Sequence, residues 1–199
     1  MAASYDLRER KRTRTRLMIQ SEAMRLFAEN GYESTTVEQI AFAAAISPRT
    51  FFRYFPTKED VVLWDEYDPI APDLFEARPA DEAPAETLRA IIREAVGGLY
   101  RRDPEQLLLR AQLLGSVPEL RARMLEQQDT GYEMLAMLLA RRRGASPGEL
   151  ELRVLASAFG AAIMVALDAW QKEGGRSDLL EVVDRAIDGL AAGLRELES

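Results

Sequence analysis

Along nearly the whole chain apolar side chains recur every three or four positions, and no run alternates apolar with polar residues between turn signals. A chain patterned this way buries its stripes by packing helix on helix, so the expected fold is all-α. Ile19, Ala23, Leu26 and Phe27 form the stripe of a first helix reaching about Glu29, where Asn30-Gly31 offers a left-handed stop. Thr36 caps a second helix ending near Ala45, with Gln39 completing a capping box. Ser47-Pro48 opens a third, because proline lacks only a donor that the first helical turn leaves unpaired anyway. It runs to Phe55; Pro56 stops it and Thr57 caps a fourth helix.

Four of the nine prolines, Pro69, Pro72, Pro79 and Pro84, fall between Asp68 and Pro84, which is expected to be an irregular loop. It divides a head, residues 1–64, from a larger helical domain, residues 65–199. In that domain Leu88, Ile91, Ile92, Val96 and Leu99 line one helix, Asp103-Pro104 starts another, and Pro118 opens a long one to about Arg143. Ser146-Pro147 is expected to start a helix reaching Lys172, and Ser177 to cap the last.

Composition removes whole classes of chemistry. Among 199 residues there is no cysteine and no histidine, which excludes a disulfide, a zinc or haem site of ordinary ligands, a thiol nucleophile and an imidazole base. No cofactor or metal is expected. Asp168, Glu173 and Glu94 remain as carboxylates for acid–base work, but acids on helices are ordinarily solvated, so the chain is not read as an enzyme. The longest uncharged apolar run, Val154 to Leu167, is 14 residues. A spanning helix needs roughly 18 to 20, and the charged N-terminus lacks an apolar signal core, so the expectation is a cytoplasmic protein without a membrane.

Charge is divided along the chain. Residues 1–64 hold 10 Lys or Arg against 8 Asp or Glu, and the rest hold 16 against 25, for a net charge of -7. Arg8, Arg10, Lys11, Arg12, Arg14 and Arg16 form a basic arm interrupted only by Glu9, and such an arm suits phosphate.

The second and third helices, joined by two or three residues, match the helix-turn-helix arrangement whose second helix enters the major groove of DNA. Ser47, Pro48, Arg49, Thr50 and Arg53 lie at the start and on the outer face of that helix, where Arg can take two acceptors from guanine and Thr can offer a hydroxyl or a methyl. Tyr54 and Lys58 are placed for phosphate, while Phe51 and Phe55 should pack inward.

The segment TTVEQIAFAAAISPRTFFRYFPTKEDVV, residues 35–62, resembles the DNA-binding signature of the TetR family of bacterial transcriptional regulators. The resemblance implies a homodimeric repressor whose two heads bind a palindromic operator in double-stranded DNA and release it when a small effector binds the second domain. It also implies DNA contacts by Thr36, Arg49, Thr50, Tyr54 and Lys58. Phe52 stands where many members place a phosphate-binding tyrosine, and Ala45 replaces the usual turn glycine, which implies either a turn with negative φ or a modest strain. The chain also resembles regulators associated with mycofactocin gene clusters, through PRTFFRYFPTKEDV in the head and, in the second domain, Glu151-Leu152-Arg153-Val154 before a small-residue helix. The alternative is a helical small-molecule-binding protein that no longer binds an operator.

Two further sets of residues follow from side-chain type. Ala158, Ala162 and Ala166 leave little bulk on their helix, so a second backbone can approach, and with Val183, Ile187 and Leu190 of the last helix they are expected to form a dimer interface. An apolar effector pocket is expected around Leu113, Met134, Met137, Phe159 and Met164.

Overall fold

The computed structural model describes residues 2–65, 71–146 and 148–196, and among them it contains ten helices and no strand. The head comprises α1 (Ala2–Asn30), α2 (Val37–Ala43), α3 (Pro48–Tyr54) and α4 (Lys58–Leu63). The larger part comprises α5 (Ala71–Glu76), α6 (Pro84–Arg102), α7 (Pro104–Ser116), α8 (Pro118–Arg143), α9 (Leu150–Lys172) and α10 (Leu179–Glu196). Local chemistry sets most boundaries: the side chains of Thr36, Ser47, Thr57 and Asp103 each accept an amide three residues on.

Three boundaries depart from expectation. The proline-rich stretch contains α5, because Phe75 is buried against Leu138, Leu139, Ala140 and Leu152, and a proline at position 72 falls in the first turn, where its missing donor does no harm. Pro84 likewise begins α6, and Pro69 lies outside the described residues. Helix α9 starts at Leu150 rather than Ser146. Ser146 and Glu149 close a turn instead: the Glu149 amide donates to the Ser146 carbonyl at 3.1 Å and the Ser146 amide to Glu149 Oε1 at 3.1 Å. Pro147 lies outside the described residues. Asp178, not Ser177, caps α10, its Oδ1 accepting from Leu180 N at 2.8 Å and Glu181 N at 3.2 Å. Ser177 uses its carbonyl to accept from Trp170 Nε1 at 2.9 Å, which satisfies an indole in the centre of the second core.

That second core lies between α6, α7, α9 and α10, with Phe159, Trp170, Leu179, Val183 and Ile187 buried together. The head's core is not closed by the head alone. Ile19, Phe27, Ile40, Phe51, Phe55 and Val61 share one cluster with Leu113, Val117 and Leu120 of α7 and α8. Burial of an aliphatic side chain contributes roughly 1.5–3 kcal/mol, so these three residues tie the head firmly to the larger domain.

Polar contacts repeat that junction. Arg110 donates to the Leu63 carbonyl at 2.8 Å and to Asp65 at 3.1 Å. Arg123 reaches Asp60 at 3.1 Å and Thr57 Oγ1 at 3.2 Å, clasping the α4 cap from α8.

Candidate nucleic-acid interface

The turn between α2 and α3 determines how α3 is displayed. Ala45 N donates to the Phe42 carbonyl at 3.0 Å and Ile46 N to the Ala41 carbonyl at 2.9 Å, the paired bonds of a Schellman stop. Such crossing bonds require a left-handed residue between them, and Ala45 supplies it at φ 51°. Of the two readings left open for this alanine, the strained one holds, at a cost of about 1–2 kcal/mol for an L-residue. Ile46 packs against the head core, and Phe51 and Phe55 turn inward as expected.

The opposite face of α3 is open. Ser47, Pro48, Arg49 and Arg53 are exposed, and Thr50 and Tyr54 are half-buried. No acid occurs in α3. Ser47 Oγ accepts the Thr50 amide at 3.1 Å and lies 3.0 Å from Thr50 Oγ1, so the cap also holds the threonine hydroxyl in place. The Arg53 guanidinium lies 5.3 Å from the centre of the Tyr54 ring, a cation–π contact that steadies both side chains at the surface. Phe52 is 51% exposed and edge-on to Phe51, so it presents an apolar ring where no hydroxyl is available.

Thr36 begins α2 in a complete capping box: its amide donates to Gln39 Oε1 at 2.8 Å and its hydroxyl oxygen accepts Gln39 N at 3.2 Å. Lys58 is less free than its sequence position suggests. Its ammonium donates to the carbonyls of Tyr32 at 2.9 Å and Thr35 at 3.3 Å, and sits 4.0 Å from the Tyr32 ring centre. It therefore fastens the α1–α2 connection, with one donor left for an anion. The start of α4 adds little positive field, because Thr57 caps it and Glu59 and Asp60 occupy its first turn. Burial, reinforced by the hydrogen bond to Glu59, raises the Tyr32 phenol well above its usual value. Burial opposes the Glu59 charge, but bonds from its own backbone and from Tyr32 outweigh it and lower its carboxyl.

Several contacts here carry no sequence signal. Gln20 Nε2, nearly buried on α1, donates to the carbonyls of Val61 and Trp64, both at 2.9 Å, and so closes the end of α4. Arg16 belongs to the basic arm by sequence, yet its guanidinium stacks over Phe55 and Trp64.

The five residues expected to line an apolar pocket do not converge. Leu113 belongs to the head core, Phe159 to the second core and Met134 to the edge of the third, Met137 is 45% exposed, and Met164 is half-buried. Hydrophobic type alone cannot say which core a residue enters. A cleft of about 220 Å³ instead opens between α8 and α9, lined by Asp129, Tyr132, Glu133, Arg153 and Ser157. Tyr132, one of its lining residues, packs closely on Gly160 of α9, where an added Cβ would lie 2.0 Å from the ring.

The expected dimer residues are also divided. Ala166, Val183 and Ile187 are buried inside the chain at 2%, 1% and 0% exposure, so they cannot meet a second copy, and Leu190 packs beside them. Ala158 and Ala162 are half-buried. The open side of α9 is a different stripe: Leu150, Val154, Ser157, Ala161 and Val165. Helix α9 is long and apolar enough to cross a membrane by length and composition, with mean hydropathy 1.8 in an 18-residue window and 22% of that window buried. It nonetheless packs lengthwise along α8 and α10. Asp168 and Glu173 are exposed, and Asp168 is held 2.7 Å from Lys172, so these carboxylates enclose no cleft.

Comparison with known proteins agrees with this architecture. The family described as bacterial regulatory proteins, tetR family, matches residues 19–63, and the MftR C-terminal domain matches residues 82–195. The chain is 34% identical over 172 residues to the HTH-type transcriptional regulator TcmR of Streptomyces glaucescens, covering 82% of this chain and 76% of that one. It is 27% identical over 191 residues to a Mycobacterium tuberculosis protein named for mycofactocin biosynthesis regulation, MftR, covering 94% and 95%. Among solved structures, the fatty acid degradation regulator FadR of Bacillus halodurans is similar at TM-score 0.63 and 26% identity, over 91% of this chain and 96% of that one. A Thermus thermophilus FadR repressor bound to lauroyl-CoA is similar at TM-score 0.57 and 27% identity, over 88% and 93%.

Proposed function

Because the chain belongs to the TetR family of bacterial transcriptional regulators, with an MftR-type C-terminal domain, we propose that it is a homodimeric repressor that leaves a palindromic operator when a small apolar effector binds. The observation that carries this reading is the outer face of α3, which is exposed, free of acid and held by the Ala45 turn. Arg49 reads a base edge; Thr36, Arg53, Tyr54 and the remaining donor of Lys58 hold phosphates. Thr50 and Phe52 add contacts beside them.

Dimerisation is assigned to the open α9 stripe, Leu150, Val154, Ser157, Ala161 and Val165, whose spacing of three and four residues gives one continuous seam of small and apolar side chains. Two copies joined there present two recognition helices about 34–36 Å apart, one turn of duplex. The effector's apolar part enters beside Ile91, Met134 and Leu155, which are half-buried at the edge of the third core. Movement there reaches the head through Leu113, Val117 and Leu120 and through the Arg110 and Arg123 bonds. A differential affinity of about 2.7 kcal/mol between two conformers suffices for a 100-fold loss of operator affinity.

The test is selection of bound duplexes from a randomised pool, followed by release with saturated acyl-CoA thioesters, the class bound by the Thermus thermophilus FadR repressor. Enrichment of an inverted repeat supports the reading; a helical ligand binder without an operator enriches no sequence.

A further inference from the structure

Helix α1 is much longer than its core contact. Its buried stripe begins at Ile19, and every described residue from Leu7 to Met18 is exposed or half-buried. Residues 8–16 contain no apolar side chain. Arg8, Arg10, Lys11, Arg12 and Arg14 have Glu9 as the one acid among them, and they lie beyond the first turn of α1. An unburied helical segment of this length is marginal in water, and its charge weakens it further. The Arg12–Glu9 pair, 3.8 Å apart and half-exposed, offsets little of that.

The arm nevertheless has a firm root. The Arg16 guanidinium lies 5.8 Å from the Phe55 ring centre and 5.6 Å from that of Trp64, with its Nε buried. Phe55 is the C-cap of α3, so the arm leaves the head beside the end of the helix assigned to the major groove. From Leu7 to Thr15 the helix extends about 14 Å, or about 4 base pairs of duplex. Its cations have no apolar stripe beside them, so whichever side faces a duplex offers cations to phosphates, and the amphipathic face that a lipid surface takes is missing.

We propose that residues 8–14 of α1 form a second DNA-binding surface, on which the cations Arg8, Arg10, Lys11, Arg12 and Arg14 between them hold about two backbone phosphates of the duplex flanking each half-site, without reading bases. The proposal rests on the operator-binding reading above. It makes the affinity of the regulator depend on DNA outside its recognition sequence.

The test compares the full chain with a variant carrying Arg8→Gln, Arg10→Gln, Lys11→Gln, Arg12→Gln and Arg14→Gln. The probes are a duplex selected from a randomised pool, trimmed to its protected core, and the same duplex extended by about 8 base pairs of arbitrary sequence on each side. If each arm holds about two phosphates, the log–log salt slope on the extended duplex falls by about 4 per dimer in the variant. The wild-type chain prefers the extended duplex, and the variant binds both alike while still discriminating the selected core from scrambled DNA. An unchanged slope and an unchanged preference in the variant overturn the arm and leave operator binding standing. Failure of the wild-type chain to bind any selected duplex overturns both readings. Binding of the wild-type chain to phosphatidylglycerol vesicles, with no preference between the duplexes, assigns the arm to a lipid surface and overturns the proposal.

Discussion

Replacing Ala45 by glycine should stabilise the protein, and the size of the effect follows from the turn itself. Ala45 sits at φ 51°, exposed, between the two bonds that end α2. Relief of the left-handed conformation is worth about 1–2 kcal/mol. Glycine gives back about 0.5–1 kcal/mol through the greater freedom of the unfolded chain. The net gain is about 0.5–1 kcal/mol, which for a domain of this size raises the melting temperature by about 1–4 °C. Thermal unfolding followed by circular dichroism, at one fixed protein concentration, measures it. Operator affinity should change less than about twofold, because both bonds that aim α3 are retained. A glycine variant that melts lower than wild type would show that the alanine is not strained, and the account of how α3 is presented would fail with it.

Arg49→Ala should weaken operator binding by about 1–3 kcal/mol in a mobility-shift titration while leaving scrambled duplex nearly unchanged; equal losses on both would mean that Arg49 touches only phosphate. Val165→Glu, on the open α9 stripe, should convert a dimer to a monomer in sedimentation velocity without lowering the helical signal, and a variant that remains dimeric places the seam elsewhere. Hydrogen bonds from Arg78 and then Thr87 lower the Glu82 carboxyl to about 2. Its contribution to stability is therefore complete above the unfolded value of about 4.3 and is lost as pH falls toward the folded one. Melting temperature should consequently fall less steeply between about pH 5 and 2 in Glu82→Gln than in wild type; parallel profiles would refute the assignment.

Features set by near neighbours are legible in the sequence. The boundaries at Thr36, Pro48, Thr57, Pro104 and Pro118 follow from caps and prolines acting within one turn, and the inward turn of Phe51 and Phe55 follows from helical period. What failed depends on the partner across the interior. Periodicity shows that Val183 and Ile187 face something apolar, but not that the something is their own chain's Phe159 and Trp170. The type of Leu113 suits pocket lining and core alike; in the structure it seals the head. Lys58 is legible as a cation, whereas its two carbonyl partners come from a connection more than twenty residues earlier. The proline count hid α5, since prolines in a first turn are compatible with a helix and the signal for it, a buried Phe75, is tertiary.

The measurement that tests the central claim most directly is a titration of the selected palindromic duplex over a range of salt, with the stoichiometry read by sedimentation. Two protomers per duplex are expected, with a log–log slope of about -7 from four phosphates per head, and steeper once the arms engage. One protomer per duplex, or affinity indifferent to salt, would contradict the claim that two copies of α3 enter the grooves of DNA.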